Sequence, residues 1–273
     1  METITANGLR MPRLGLGTWG MTGQTCATAV ATALGMGYRH IDTAQMYGNE
    51  DAVGAGIRDS GVPRADIHLT TKVWNDHLEP PRMRAAMEAS LRALRTEYVD
   101  LYLIHWPSPN MDLKAALDTL AVLQREGKAR RVGVANFNVA LMRRAVEEFG
   151  AAIAAEQFEY HVMLRQPALL AYLRGRGIPI IAYSPLAKGQ LVKNESLGRI
   201  ARKHGATAPQ VALRWLLDQP DVAVIPKSSR EAGLRENLAA LDLRLDEEDR
   251  TAIEALPKDR RCVNLLSDWD ATG

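Results

Sequence analysis

A chain of 273 residues, 47% hydrophobic and 24% charged, can bury a full core without disulfide or metal staples and is too apolar to be disordered. Its 34 basic and 32 acidic side chains are interspersed for a net charge of +2, with no basic run of the kind a nucleic-acid or membrane surface needs. Cys26 and Cys262 lie far apart, without a CxxC pair or a histidine ladder, and read as two reduced thiols rather than zinc ligands. The stretch Met1 to Thr5 lacks the basic start and apolar centre of a signal peptide, and no apolar run approaches ~18 residues. The expectation is a soluble, cytoplasmic, monomeric protein whose partner is a small molecule, with no nucleic acid, membrane or metal involved.

In chain order, Asn7-Gly8 between two short extended runs predicts an N-terminal hairpin. Eight β-branched runs follow, at 14–17, 38–42, 67–72, 99–105, 131–135, 153–158, 178–183 and 222–225. They recur at intervals of roughly 25–40 residues, enough for a helical crossover between parallel strands. Stretches of helical period lie between them, at 24–36, 49–59, 81–94, 112–126, 138–148, 166–174, 195–217 with a break, and 231–240. Asn138 is a good N-cap, and Pro81 and Pro167 fall near first-turn positions. A further helix at 246–255 and an irregular tail at 257–273 complete the chain. No linker or composition step divides it. One domain over 1–273, a closed (β/α)₈ barrel with an N-terminal hairpin and an extra C-terminal helix, is the predicted α/β architecture.

Gly15-Leu16-Gly17-Thr18-Trp19-Gly20, with Asp42 about 20 residues on, matches the outline of a dinucleotide fingerprint. Pro12 and Arg13 interrupt the strand that should precede it, and Gly23 and Thr25 delay the helix that should follow. The βα rhythm then continues to eight rather than stopping for a second domain. The doubly wound reading is the weaker one.

In a barrel, chemistry gathers where strands end. Strand two ends in Asp42, with Tyr47 shortly after; strand three ends in Lys72 and strand four in His105. Asn136, Gln157 and Tyr183 close the next three. Any one of these, taken singly, reads first as a satisfied polar rim residue; the acid, base, phenol and imidazole on successive strands are harder to dismiss together. Lysine is scarce here, with eight against 26 arginines, and a buried Lys72 needs a partner such as Asp42. That pair is expected to lower the pKa of the Tyr47 phenol, which then protonates a developing alkoxide while His105 orients it. Trp19, Trp74 and Trp106 follow strands one, three and four and suit the wall of a small carbonyl pocket, with aromatic packing as the plainer reading. Trp269 is a candidate to close that pocket, and Trp215 reads as core. Two rival functions are a lyase or aldolase using Lys72 as a Schiff-base nucleophile and a non-catalytic nucleotide sensor.

The blocks 42–50 (DTAQMYGNE), 71–74 (TKVW), 103–107 (LIHWP), 133–137 (GVANF), 157–161 (QFEYH), 183–186 (YSPL) and 225–228 (IPKS) resemble, in order, the signature of the aldo-keto reductases. The regions 104–109 and 268–270 are most similar to bacterial 2,5-diketo-D-gluconate reductases, which are also associated with methylglyoxal reduction. The resemblance implies NADPH-dependent carbonyl reduction, with NADH as a weaker cofactor, hydride from nicotinamide C4 and a proton from Tyr47. It assigns Asp42, Tyr47, Lys72 and His105 as catalytic, and Trp19, Tyr47, Trp74, His105 and Trp106 as the substrate wall. It places Gly17, Thr18, Trp19 and Asp42 beside the cofactor, Tyr183 on the nicotinamide, and Asn136 and Gln157 at its carboxamide. Ser184 and Leu186 would line the pyrophosphate path. Lys227, Ser228 and Arg230 would meet the 2′-phosphate, and Glu236 and Asn237 the adenine. Ala135 stands where the family usually has Ser, and Gly233 where many members carry an Arg facing the 2′-phosphate.

Overall fold

The computed structural model describes residues 2–263. The hairpin is β1 (Thr3–Ala6) and β2 (Leu9–Pro12), paired antiparallel about Asn7-Gly8, both in the left-handed region. Eight parallel strands then follow in simple order: β3 (Leu16–Gly17), β4 (His40–Asp42), β5 (His68–Val73), β6 (Val99–Ile104), β7 (Ala129–Ala135), β8 (Glu156–Glu159), β9 (Ile180–Tyr183) and β10 (Val222–Val224). A bridge between Leu14 and Val224, with Gly17 N–H donating to the Pro226 carbonyl at 3.1 Å, joins first strand to last. The predicted barrel is there.

The glycines of the apparent fingerprint serve this closure. A Cβ on Gly17 would sit 2.6 Å from the Ile225 carbonyl oxygen, and one on Gly15 2.7 Å from the His40 ring. Close approach of strands, not of a pyrophosphate, requires glycine at both positions.

The helices are α1 (Gly23–Gly35), α2 (Glu50–Asp59), α3 (Pro80–Leu94), α4 (Leu113–Arg125), α5 (Val139–Arg143), α6 (Pro167–Gly175), α7 (Glu195–Lys203), α8 (Ala208–Leu217), α9 (Glu231–Ala239) and α10 (Glu247–Glu254). The break expected inside 195–217 falls at Gly205, with φ +62°, and Thr207 then opens α8 with a capping box to Gln210. The segment predicted as one helix at 138–148 widens into a π-turn over Arg144–Glu148. Strand β8 begins three residues later than the apolar run suggested, because Ile153 to Ala155 only approach β7 through isolated bonds. Leu101, Leu103, Ala135, Ile181 and Ala223 fill the barrel interior, which Ile4, Leu9 and Met11 of the hairpin plug from below. Trp215 is core, edge-on to Tyr160. Cys26 and Cys262 are unpaired. Among the described residues no helix is long and apolar enough to cross a membrane.

Beneath the hairpin, His40 and His68 meet edge-to-face at 4.9 Å in full burial. Burial pushes His40 down to about 4 and His68 well below the ordinary imidazole value, and the same holds for His105 at the far end of β6. Unfolding therefore takes up protons at these three positions between about pH 6.5 and 4, and stability falls as pH drops through that window. Burial raises the carboxyls of Glu50 and Glu156, so unfolding releases their protons above about pH 4.5 and opposes the histidines. Three imidazoles outweigh two carboxyls on the acid side; toward pH 8 the Lys258 ammonium, which burial lowers to about 8, works against the carboxyls in turn. Denaturant midpoints should fall as pH drops from about 6.5 to 4.5, and a midpoint that holds level or climbs over that interval would contradict the histidine account.

Candidate active site

The parity that turns Leu101 and Leu103 into the barrel turns His105 to its mouth, and the same parity carries Lys72 inward from β5. Lys72 is fully buried. Its ammonium donates to Asp42 Oδ1 at 2.5 Å and to the Thr43 carbonyl at 2.8 Å, and lies 3.4 Å from the Tyr47 hydroxyl. Tyr47 itself rides on a single 3₁₀ turn, Gln45–Tyr47, ended by Gly48 at φ +62°. Two neighbours fix that turn. Asn49 donates to the carbonyls of Thr18 and Met21 and accepts from Thr43. Glu50 accepts from Thr71 on β5 and Ser90 on α3. The sequence showed both residues inside a motif without revealing that they brace it.

The rings pack edge-to-face around the phenol: Trp19 at 5.0 Å from Tyr47, His105 at 5.5 Å, and Trp74 at 5.1 Å from His105. The four expected catalytic side chains are thus brought together. The electrostatics differ from the expectation on one point. Burial pushes the Tyr47 phenol well above its usual value and the Asp42 charge pushes it further, so no lowering by the Lys72–Asp42 pair is seen. Burial also lowers the Lys72 ammonium, against the pull of Asp42. Desolvation wins over the single 3.4 Å contact, and Tyr47 is a neutral, proton-bearing phenol. Burial, then the Lys72 charge, holds His105 neutral, and its Nδ1 has no partner among the described residues.

A cavity of about 800 Å³ opens above this cluster. Gly17, Thr18, Trp19, Asp42, Tyr47, His105, Trp106, Tyr183, Ser184, Leu186 and Lys227 of the expected set line it. Asn136 and Gln157 lie beside it and already serve the protein. Asn136 donates to the His105 carbonyl at 2.9 Å and accepts from the Tyr183 hydroxyl at 2.8 Å. Gln157 donates to Asp42 Oδ2 at 2.8 Å, a link to the lysine pair that sequence reading missed. Ala135 is buried where a hydroxyl was expected.

Lys227 and Arg230 are exposed, and the Ser228 hydroxyl is tied to the Arg230 backbone. Glu236 lines a separate surface groove and accepts from Thr207, while Asn237 is buried beside Tyr38; neither shares the cavity with Tyr47. Trp269 lies outside the described residues. Lys188, Val192, Pro209 and Val263 line the cavity without having been expected. One signal for the first two was available: the connection from Tyr183 to α7 far exceeds the usual βα loop of about 2–6 residues. Ser184, Ala187 and Lys188 in that loop, and Asn136 opposite, all have φ between +47° and +61°, a strained backbone that gathers at functional sites.

Known proteins resemble this chain over nearly its whole length. The chain is 41% identical over 268 residues to the methylglyoxal reductase DkgB of Escherichia coli O157:H7, covering 96% of this chain and 100% of that one. It is 42% identical to the glyoxal reductase of Bacillus subtilis strain 168, covering 93% and 92%. A crystal structure provisionally described as 2,5-diketo-D-gluconic acid reductase B superposes with a TM-score of 0.95 at 41% identity, over 99% of this chain and 98% of that one. The aldose reductase of Schistosoma japonicum superposes at 0.92 with 32% identity, over 97% and 95%. The sequence profile of the Aldo/keto reductase family matches residues 13–258, and this chain belongs to that family.

Proposed function

We propose that this protein reduces small aldehydes and ketones with NADPH, Tyr47 supplying the proton. One observation carries the reading: Lys72 reaches both Asp42 and the Tyr47 hydroxyl at the closed end of a cavity whose other wall is His105. A carbonyl oxygen seated between Tyr47 and His105 meets a neutral phenol and a neutral imidazole, two donors suited to an oxygen that gains charge. A nicotinamide bound in the same cavity would supply the hydride. As the alkoxide takes the phenolic proton, the ammonium of Lys72 stabilises the phenolate left behind. Asp42, held by Lys72 and Gln157, keeps that ammonium in place. The donor set fits such a cofactor: the Tyr183 ring, the Ser184 hydroxyl and the Lys227 cation share the cavity with Tyr47, and Asn136 and Gln157 flank it.

A Schiff-base role for Lys72 fits poorly, because its ammonium is fully buried and its donors are directed at Asp42, Thr43 and Tyr47. The names of the relatives make methylglyoxal, glyoxal and 2,5-diketo-D-gluconate the first substrates to assay. Consumption of NADPH with these compounds tests the proposal directly. No turnover with any carbonyl, by protein that binds NADPH, would overturn it.

Preference for NADPH over NADH rests on Lys227 and Arg230. Charge-assisted bonds are worth about 1.5–3 kcal/mol each, so Arg230→Ala should weaken NADPH by tenfold or more and leave NADH nearly unchanged. Gly233→Arg is a less simple gain than sequence suggests, since a Cβ there runs into the Ser228 hydroxyl. The added Cβ displaces that hydroxyl from its bonds to Arg230, and the improvement should be less than tenfold. Fluorescence titration of both variants with both cofactors reads this; equal losses for the two cofactors in Arg230→Ala would show that Arg230 does not face the phosphate.

A further inference from the structure

The last described stretch of chain is laid along the β8–α6 loop by a ladder of bonds. Lys258 Nζ donates to the Val162 carbonyl, Arg165 N–H to the Lys258 carbonyl, and Arg260 N–H to the Met163 carbonyl. Leu164 and Asp259 form a bridge between the two stretches. The ladder ends on one side chain. Glu159 accepts from the Cys262 N–H at 2.7 Å on Oε1 and from the Val263 N–H at 3.0 Å on Oε2. His161 completes the set: Met163 N–H donates to its Nδ1, which leaves the proton on Nε2, 3.1 Å from Glu159 Oε1. Glu159 and His161 are fully buried. The Cys262 sulfur, 3.9 Å from His161 Nε2, brings a third ligand-type atom close. The protonated Nε2, however, makes the trio a hydrogen-bond relay rather than a metal cage.

Val263, the residue so held, lines the cavity that Tyr47 and His105 close. Strand parity links the two. Gln157, bonded to Asp42, and Glu159 stand two residues apart on the same face of β8. The strand that braces the reacting end therefore also pins the wall. We propose that Glu159 is a positioning residue for substrate selection: its carboxylate fixes Cys262 and Val263, and so the size of carbonyl compound the cavity admits. The proposal rests on the reductase reading above. A carboxylate suits the task because its two oxygens meet two successive N–H groups, whereas an amide of the same shape turns an NH₂ toward one of them. Burial alone would raise this carboxyl, but the bonds from His161, Cys262 and Val263 outweigh it and hold it below the usual range.

The test is Glu159→Gln in the full chain. Amide exchange at Cys262 and Val263, measured without cofactor or substrate, should accelerate about tenfold or more. The kcat/KM ratio of a bulky aromatic aldehyde to methylglyoxal should rise roughly fivefold or more, through a higher KM for the small compound. The Kd for NADPH should move less than twofold. Val263→Ala, which leaves the clasp untouched, should shift the ratio in the same direction, and it decides the matter if Glu159→Gln fails to fold. Equal losses for both aldehydes, or faster exchange with no change in selectivity, would overturn the proposal. Wild-type protein inactive on every carbonyl would instead sink the reductase reading, while the exchange arm would still judge the clasp.

Discussion

Tyr47→Phe should lose about 10²–10⁴-fold in kcat for carbonyl reduction while NADPH affinity stays within a few-fold. The substitution removes one oxygen from a ring held by Trp19 and His105, so the ring packing survives. Structurally it forfeits only the 3.4 Å contact to Lys72. The loss is therefore chemical: about 3–5 kcal/mol of transition-state stabilisation at roughly 1.4 kcal/mol per decade. Single-turnover measurements with saturating NADPH check it, and a wild-type rate of chemistry in the Phe variant would remove Tyr47 from the mechanism. The pH profile carries a second expectation. With the phenol pushed well above 10 by burial and Asp42, the donor keeps its proton throughout the neutral range, and reduction should not lose rate between pH 6 and 9 through ionisation of Tyr47. A descending limb centred in that range, absent from Tyr47→Phe, would show that Lys72 overcomes burial once the ligands are bound.

The barrel was legible because its periodicity is local. Each β-branched run and each capped amphipathic stretch announces itself within a dozen residues, and eight repeats leave little choice of topology. The candidate site cluster was legible for a related reason: strand ends in a parallel barrel face one rim, so Asp42, Lys72 and His105 had to meet. What sequence could not reveal was how side chains choose among nearby partners. Gln157 reaches across the barrel to Asp42, 115 positions away. Glu159 spends its oxygens on Cys262 and Val263. Asn237, read as an adenine contact, is buried and bonded to Tyr38, a partner the spacing does not show. Nor does spacing show a desolvation cost. A lysine next to a tyrosine suggests a lowered phenol pKa, and only the depth of burial reverses the sign.

Lys72→Met should depress activity about as strongly as Tyr47→Phe, and the double variant should fall little further, because ammonium and phenol act as one unit. The geometry explains why. The ammonium lies 3.4 Å from the hydroxyl that becomes the phenolate, and without it Tyr47 must take on negative charge in a site already carrying the Asp42 charge. Stability should separate the two single variants. Tyr47→Phe leaves the buried ion pair intact, whereas Lys72→Met strands the Asp42 carboxylate with Gln157 as its remaining side-chain donor among the described residues. Breaking a buried pair from one side costs about 3–5 kcal/mol unless the stranded group neutralises. Replacing Asp42 as well, by Asn, removes the unpaired charge while keeping an acceptor for Gln157. The pair Lys72→Met/Asp42→Asn should thus recover most of the lost stability and none of the activity. Denaturant unfolding and single-turnover rates on the same four proteins decide the matter. Additive activity losses for Lys72→Met and Tyr47→Phe would mean that lysine and phenol work independently. A double variant no more stable than Lys72→Met would mean that the carboxylate, once alone, finds other donors.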